Sequence, residues 1–77
     1  MESNEITIKL TKDEALVLFE LLSRFSENDN KEIFLDAAEE KALWVIEEQL
    51  EKILVEPFKP NYQDIIQEAR NRIREVE

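Results

Sequence analysis

Trp44 is the only tryptophan of this 77-residue chain, and acidic side chains flank it. At 100° per residue along a helix, Lys41 and four glutamates lie near it on the same side, the glutamates being Glu40, Glu47, Glu48 and Glu51. A tryptophan ring attracts a guanidinium or ammonium group to its face, and nearby carboxylates neutralise that charge. Trp44 and these four glutamates are therefore predicted to bind a basic protein partner.

Other interpretations of the same residues stay open in the sequence. The indole can instead be covered by Phe58 and Tyr62 where the chain folds back after Pro57, or by a second copy, because large aromatic side chains are mostly buried. The carboxylates can form an ordinary solvated helix face, since residues 36–56 carry seven acids against two lysines. Glu40 with Glu47 or Glu51 could also coordinate a hard cation or act in acid–base chemistry.

The chain contains no histidine, no cysteine and no glycine. Serine and cysteine nucleophiles use an imidazole base, zinc sites use imidazole or thiolate ligands, and phosphate-binding loops use glycine. The polar stretch 27–30 lacks the glycine turn of a calcium loop. We therefore predict that the protein is not an enzyme and carries no cofactor or metal.

The charge balance bears on the choice of partner. Nineteen acidic residues against ten basic ones give a net charge of -9, which repels phosphate backbones and anionic lipid headgroups. Neither nucleic acid nor a membrane is a predicted partner. No apolar run approaches the roughly 20 residues that span a bilayer, and the first five residues lack the basic start of a secretory signal. The predicted location is the cytoplasm.

The first half of the chain predicts a strand followed by a helix. Residues 5–10 alternate between apolar and polar types, which is typical of a half-buried strand. Thr11 and Glu14 have the spacing of a capping box, which predicts a helix that begins at about Lys12.

This first helix is apolar over much of its circumference and must be covered from two sides. A second copy could supply one cover. The predicted dimer face consists of Leu18, Phe19, Leu22 and Phe25.

The second half predicts a short strand and two more helices. After a polar loop at 26–30, residues 33–35 are a second, weaker strand, and Asp36 with Glu39 predicts the cap of a helix over about 37–54. Its predicted buried stripe is Ala42, Leu43, Ile46, Leu50, Ile53 and Leu54. Pro57 and Pro60 mark an extended connector, and a last helix follows Asn61. The predicted fold class is α+β in the order β-α-β-α-α, with one domain over residues 1–77.

A basic cluster lies in the last predicted helix, at Arg70, Arg72 and Arg74. At helical spacing these residues do not form one stripe. They are predicted to complement the helix dipole and to pair with acids of the same chain or of a partner.

A resemblance to other proteins rests on three stretches of the sequence: LTKDEALVLFELLSRF at 10–25, EKALW at 40–44 and VEPFKPNY at 55–62. They resemble those of small acidic bacterial proteins of unassigned function. The resemblance covers nearly the whole chain and implies a bacterial, cytosolic protein. It transfers no catalytic or ligand residue.

The leading expectation is a non-catalytic interaction or regulatory accessory module that forms a homodimer and presents the Trp44 face to a basic protein. The alternatives are a purely structural homodimer and, less favoured, an inhibitor that mimics nucleic acid through its negative surface.

Overall fold

The computed structural model describes residues 4–27 and 31–75 of the chain. The described part contains three α-helices: α1 (Lys12–Glu27), α2 (Ala37–Ile53) and α3 (Tyr62–Glu75). Short 3-10 turns precede α2 at Lys31–Ile33 and α3 at Glu56–Phe58. Helix α1 is the central element, because it packs against α3 and, less extensively, against α2.

The predicted α+β class is wrong, because no residue of 4–27 or 31–75 lies in a strand and the fold is all-α. The proposed second strand at 33–35 is interrupted by a 3-10 turn that ends at Ile33. Phe34 then packs edge-to-face on Phe25, with ring centroids 5.8 Å apart. Residues 5–10 consequently have no strand partner among residues 4–27 and 31–75, and a strand needs a partner for its backbone N–H and C=O groups.

Local side-chain caps set the starts of α1 and α2. Thr11 and Glu14 form the predicted capping box: the Glu14 amide donates to Thr11 Oγ1 at 3.1 Å, and the Thr11 amide donates to Glu14 Oε1 at 2.9 Å. At α2 the Ala38 amide donates to Asp36 Oδ1 at 2.8 Å. Glu39 accepts from the Leu35 amide at 2.9 Å, one residue before the position predicted for a capping box.

Proline determines where α2 ends. A proline ring clashes with the carbonyl of the residue four positions earlier, and for Pro57 that residue is Ile53, the last of the helix. Leu54 caps this end in an extended conformation, and its amide donates to the Leu50 carbonyl at 2.9 Å. The described residues include none with a positive φ, so the C-terminal end of α2 needs no glycine.

The core lies where the three helices meet. Its buried members are Ala15, Leu16, Leu22, Leu50, Leu54, Ile66 and Ala69. Both covers that α1 requires come from α2 and α3. No described polar or charged residue is buried as a whole. One carboxylate oxygen of Glu56, Oε1, is nevertheless buried without a hydrogen-bond partner, while Oε2 pairs with Lys12. No described helix has the length and apolar character needed to cross a membrane.

The buried stripe predicted for α2 is only partly right. Leu50 and Leu54 are buried and Leu43 packs against the core. Ala42 is exposed, Ile46 is nearly half exposed and Ile53 is 72% exposed. The stripe is wider than the contact that α1 offers, so the helix buries one edge of it. The other edge faces solvent.

Two ion pairs join the start of α1 to later parts of the chain. The Arg72 guanidinium of α3 donates from Nε and Nη2 to both Asp13 carboxylate oxygens, at 2.7 and 2.8 Å. Lys12 Nζ donates to Glu56 Oε2 at 2.9 Å. The hydrogen bond from Arg72 lowers the pKa of Asp13, and the hydrogen bond from Lys12 lowers the pKa of Glu56.

Core packing yields the first prediction. Leu16 is 1% exposed, so Leu16→Ala should lower the free energy of unfolding by about 2 to 5 kcal/mol, because it leaves a cavity between α1 and its neighbours. Urea unfolding followed by circular dichroism measures the loss. The matched control is Ile53→Ala, which should change stability by less than about 0.5 kcal/mol. Equal losses for the two variants would contradict the assigned core.

The ion pairs yield a second prediction, on acid stability. Carboxyls with a lowered folded-state pKa stabilise the fold fully above their unfolded-state pKa, and this stabilisation is lost as pH falls through the folded-state value. Unfolding free energy should therefore fall between about pH 5 and pH 2, and it should fall less steeply in the double variant Asp13→Asn, Glu56→Gln. The unfolding free energy is measured by urea unfolding at several pH values in this range. If it falls equally steeply with pH in wild type and in the double variant, the assignment is refuted.

Candidate functional site

Trp44 lies on α2, with 48% of its surface exposed. On the helix it is turned away from the edge that packs on α1, where Leu43 and Leu50 lie. Phe58 is itself mostly exposed, and the Tyr62 hydroxyl is directed to Glu20 of α1, to which it donates at 3.2 Å. The chain therefore does not bury the indole, and about half of it is available to a partner.

Three of the four predicted glutamates remain on this side of α2. Glu48 and Glu51 are exposed and Glu40 is half-buried. Glu48 also pairs with Lys52 at 3.8 Å, a solvent-exposed contact that contributes only a few tenths of a kcal/mol. We call Trp44, Glu40, Glu48 and Glu51 the Trp44 surface.

Glu47 has a structural role instead. Its carboxylate accepts hydrogen bonds from Ser26 Oγ at 2.9 Å and from Ser23 Oγ at 3.4 Å. Both serines belong to α1, so Glu47 joins α2 to the central helix. The structure thus separates this residue from the other predicted partner contacts.

An open depression of about 300 Å³ lies at the start of α2 and adjoins the Trp44 surface through Glu40. It is lined by Phe34, Leu35, Asp36, Ala37 and Glu40. Sequence reasoning missed Phe34 and Leu35, which were placed in a strand. The available signal was the cap at Asp36: a hydrophobic residue just before a cap packs on the fourth helical residue, which here is Glu40. An acidic residue at that position offers Leu35 no apolar contact, and Leu35 is 92% exposed.

The groups with shifted pKa values are Asp13, Glu56, Tyr62 and Arg72, and none of them belongs to the Trp44 surface. Burial, reinforced by the negative charge of Glu20, raises the pKa of the Tyr62 hydroxyl to about 12. The hydroxyl therefore stays protonated and donates to Glu20 over the whole physiological range. Like Asp13 and Glu56, this group connects helices, which is a structural cause of a perturbed pKa.

The described residues contain no group of three or more Asp and Glu side chains arranged to hold a metal ion. From the sequence alone, Glu40 with Glu47 or Glu51 could form a cation site. In the structure Glu47 bonds to α1, Glu40 is half-buried and Glu51 is exposed. Ser23 and Ser26, the nearest hydroxyls, are hydrogen-bonded to the same Glu47 carboxylate.

The arginine cluster of α3 is likewise divided. Arg72 forms the ion pair with Asp13 of the same chain, and Arg74 donates to Asn71 within its own helix. Arg70 is half-buried. The three guanidinium groups therefore do not form a single anion-binding edge.

The predicted dimer face contacts the chain's own interior. Leu22 is buried, Leu18 and Phe19 pack against the core, and Phe25 packs on Phe34. Leu21, which is half exposed, is the large apolar side chain that α1 leaves accessible. Whether copies of the chain associate stays a prediction.

Comparison with protein-family models, curated proteins and solved structures finds no match for this chain. The function of the Trp44 surface is therefore inferred from its residues.

The electrostatic character of this surface can be measured with the single tryptophan as reporter. Cesium should quench Trp44 fluorescence more than iodide does, with each ion scaled to its quenching of free N-acetyltryptophanamide, because the carboxylates concentrate cations around the ring. The difference should shrink in high salt and in the double variant Glu48→Gln, Glu51→Gln. Equal scaled quenching by the two ions at low salt would show that the ring does not lie in an acidic environment.

Proposed function

We propose that the protein is a non-catalytic interaction or regulatory accessory module that binds a basic protein partner through the Trp44 surface and associates with a second copy of itself. The observation that carries the proposal is a half-exposed tryptophan with three carboxylates, Glu40, Glu48 and Glu51, and one lysine, Lys41, on its side of α2. A bacterial cytoplasmic setting is part of the proposal and derives from the resemblance and the composition.

The arrangement supports binding by two additive effects. The net charge of -9 attracts a basic protein from a distance and accelerates encounter. At contact, the indole face can hold an arginine guanidinium. Glu40 and Glu51 lie on opposite sides of Trp44 along the helix, so each can pair with a different basic group of the partner. Tryptophan and arginine are the residue types that most often dominate the affinity of interfaces.

The neighbouring depression adds an apolar component. Phe34 and the exposed Leu35 lie beside Asp36 and Glu40, so a partner segment with a basic residue next to an apolar one would fit there. This mixed character favours a folded or peptide partner over a simple counterion, since an ion gains nothing from apolar contact.

The first alternative is a structural homodimer whose acidic surface only maintains solubility. Its supporting observation is the apolar edge of α2 that faces solvent at Ile46 and Ile53. Mimicry of nucleic acid is less favoured, because it is supported by the net charge of -9 alone.

Binding to a defined cationic probe tests the proposal. A peptide of alternating arginine and alanine should bind the wild-type chain, and Trp44→Ala should weaken it about tenfold, which corresponds to 1.4 kcal/mol. Trp44→Phe should retain part of the affinity because a phenyl ring still attracts a cation. Isothermal titration calorimetry measures each constant, and a lysine version of the peptide should bind more weakly because ammonium does not stack on the ring.

Matched charge variants locate the contact. Glu51→Gln should weaken peptide binding and reduce its salt dependence, whereas Glu75→Gln on α3 removes the same charge elsewhere and should have a smaller effect. If Trp44→Ala folds normally and binds the arginine peptide as tightly as wild type, the Trp44 surface is not the binding site. If both charge variants lose affinity equally, the attraction is that of the net charge alone.

A further inference from the structure

Residues 5–10 are the segment whose pattern the fold does not use. Ile6 is 88% exposed and Ile8 is 77% exposed, although apolar residues that alternate with polar ones are typical of a strand with one buried face. Residues 4–11 have no regular secondary structure and lead directly into α1 at Lys12. None of the described backbone groups pairs with this segment.

The accessible surface indicates that more of the chain can be covered. It amounts to 6515 Å², against about 4,900 Å² for a compact monomer of 9.2 kDa. The excess of about 1,600 Å² for one chain is about twice the roughly 800 Å² that each partner buries in a standard protein interface.

We infer that residues 5–9 of two copies pair as an antiparallel two-stranded ribbon centred on Thr7. The sequence Glu5-Ile6-Thr7-Ile8-Lys9 is complementary to itself in this register. Glu5 lies opposite Lys9 of the partner subunit, Ile6 opposite Ile8 of the partner subunit, and Thr7 opposite Thr7 of the partner subunit. Opposite charges, paired β-branched side chains and paired threonines are each favourable cross-strand neighbours.

The same residues select against the competing arrangements. A parallel in-register pair places Glu5 against Glu5 of the partner subunit and Lys9 against Lys9 of the partner subunit, so like charges face one another. A slip of one residue in the antiparallel pair places isoleucines opposite polar side chains. The register centred on Thr7 is symmetric about a two-fold axis, so both copies make identical contacts.

Pairing supplies what the single chain lacks. The backbone N–H and C=O groups of residues 5–9 gain ladder partners, and Ile6 and Ile8 gain an apolar neighbour. A ribbon of two strands is marginally stable by itself, so dimer formation should depend on protein concentration. The inference gives a structure to the self-association named in the proposed function, and it does not involve Trp44.

Cysteine substitution in a chain without cysteine tests the register directly. At the centre, opposing Cα atoms lie about 4.5 to 5.5 Å apart, within the range that a disulfide bridges. Thr7→Cys should therefore form a disulfide-linked dimer rapidly under mild oxidation. In Lys9→Cys the two cysteines are offset by about 14 Å along the ribbon, so this control should cross-link slowly.

Charge reversal provides a second, reversible test by sedimentation equilibrium. Glu5→Lys and Lys9→Glu each replace two attractive pairs with repulsive ones and should raise the dimer dissociation constant about tenfold. The double variant Glu5→Lys, Lys9→Glu restores the pairs and should dimerise like wild type. An equimolar mixture of the two single variants should form a mixed dimer more readily than either variant dimerises alone.

Three outcomes would overturn the inference: a wild-type chain that stays monomeric, cross-linking at position 9 as fast as at position 7, or a charge-reversed double variant that fails to recover. Circular dichroism should show unchanged helix content in every variant, since residues 5–9 lie outside the helical core. The proposed function is tested separately: Trp44→Ala should dimerise normally, and Glu5→Lys should still show the Trp44-dependent part of its affinity for the arginine peptide.

Discussion

The fold depends on helix α1 being apolar around most of its circumference. Leu16 and Leu22 are buried because α2 and α3 each cover part of this surface, and contacts between α2 and α3 themselves are sparse. The polar contacts follow the same plan. Asp13, Lys12, Glu20, Ser23 and Ser26 of α1 each bond to a residue of another element. Without α1, helices α2 and α3 would have few contacts with each other.

Features that depend on near neighbours in the chain were predictable, and those that depend on distant partners were not. The Thr11–Glu14 capping box and the end of α2 before Pro57 require only residues within one turn. The strand predicted at residues 5–10 was wrong for the single chain, because a strand depends on a partner that no local pattern supplies. The burial of Ile53 likewise depends on how α2 turns toward α1, and a wide apolar stripe is compatible with several rotations.

The candidate site divides in the same way. Helical spacing predicts Trp44 and its acidic neighbours on one side of α2, but it could not assign Glu47 to Ser23 and Ser26, which lie more than twenty residues away in the chain. The depression at Phe34 and Leu35 arises from the way the chain enters α2. The apolar type of these two residues suggested burial, whereas the acidic residue at position 40 leaves Leu35 without a contact.

The extended cap at Leu54 has a consequence for the unfolded chain. Helix α2 ends against Pro57, the described backbone contains no left-handed residue, and the sequence contains no glycine. Glycine has the most conformational freedom to lose on folding, and proline the least. An unfolded chain with no glycine and two prolines has a lower conformational entropy than one rich in glycine. Folding therefore costs this chain less conformational entropy, which partly compensates for the small stabilisation that its few buried side chains supply.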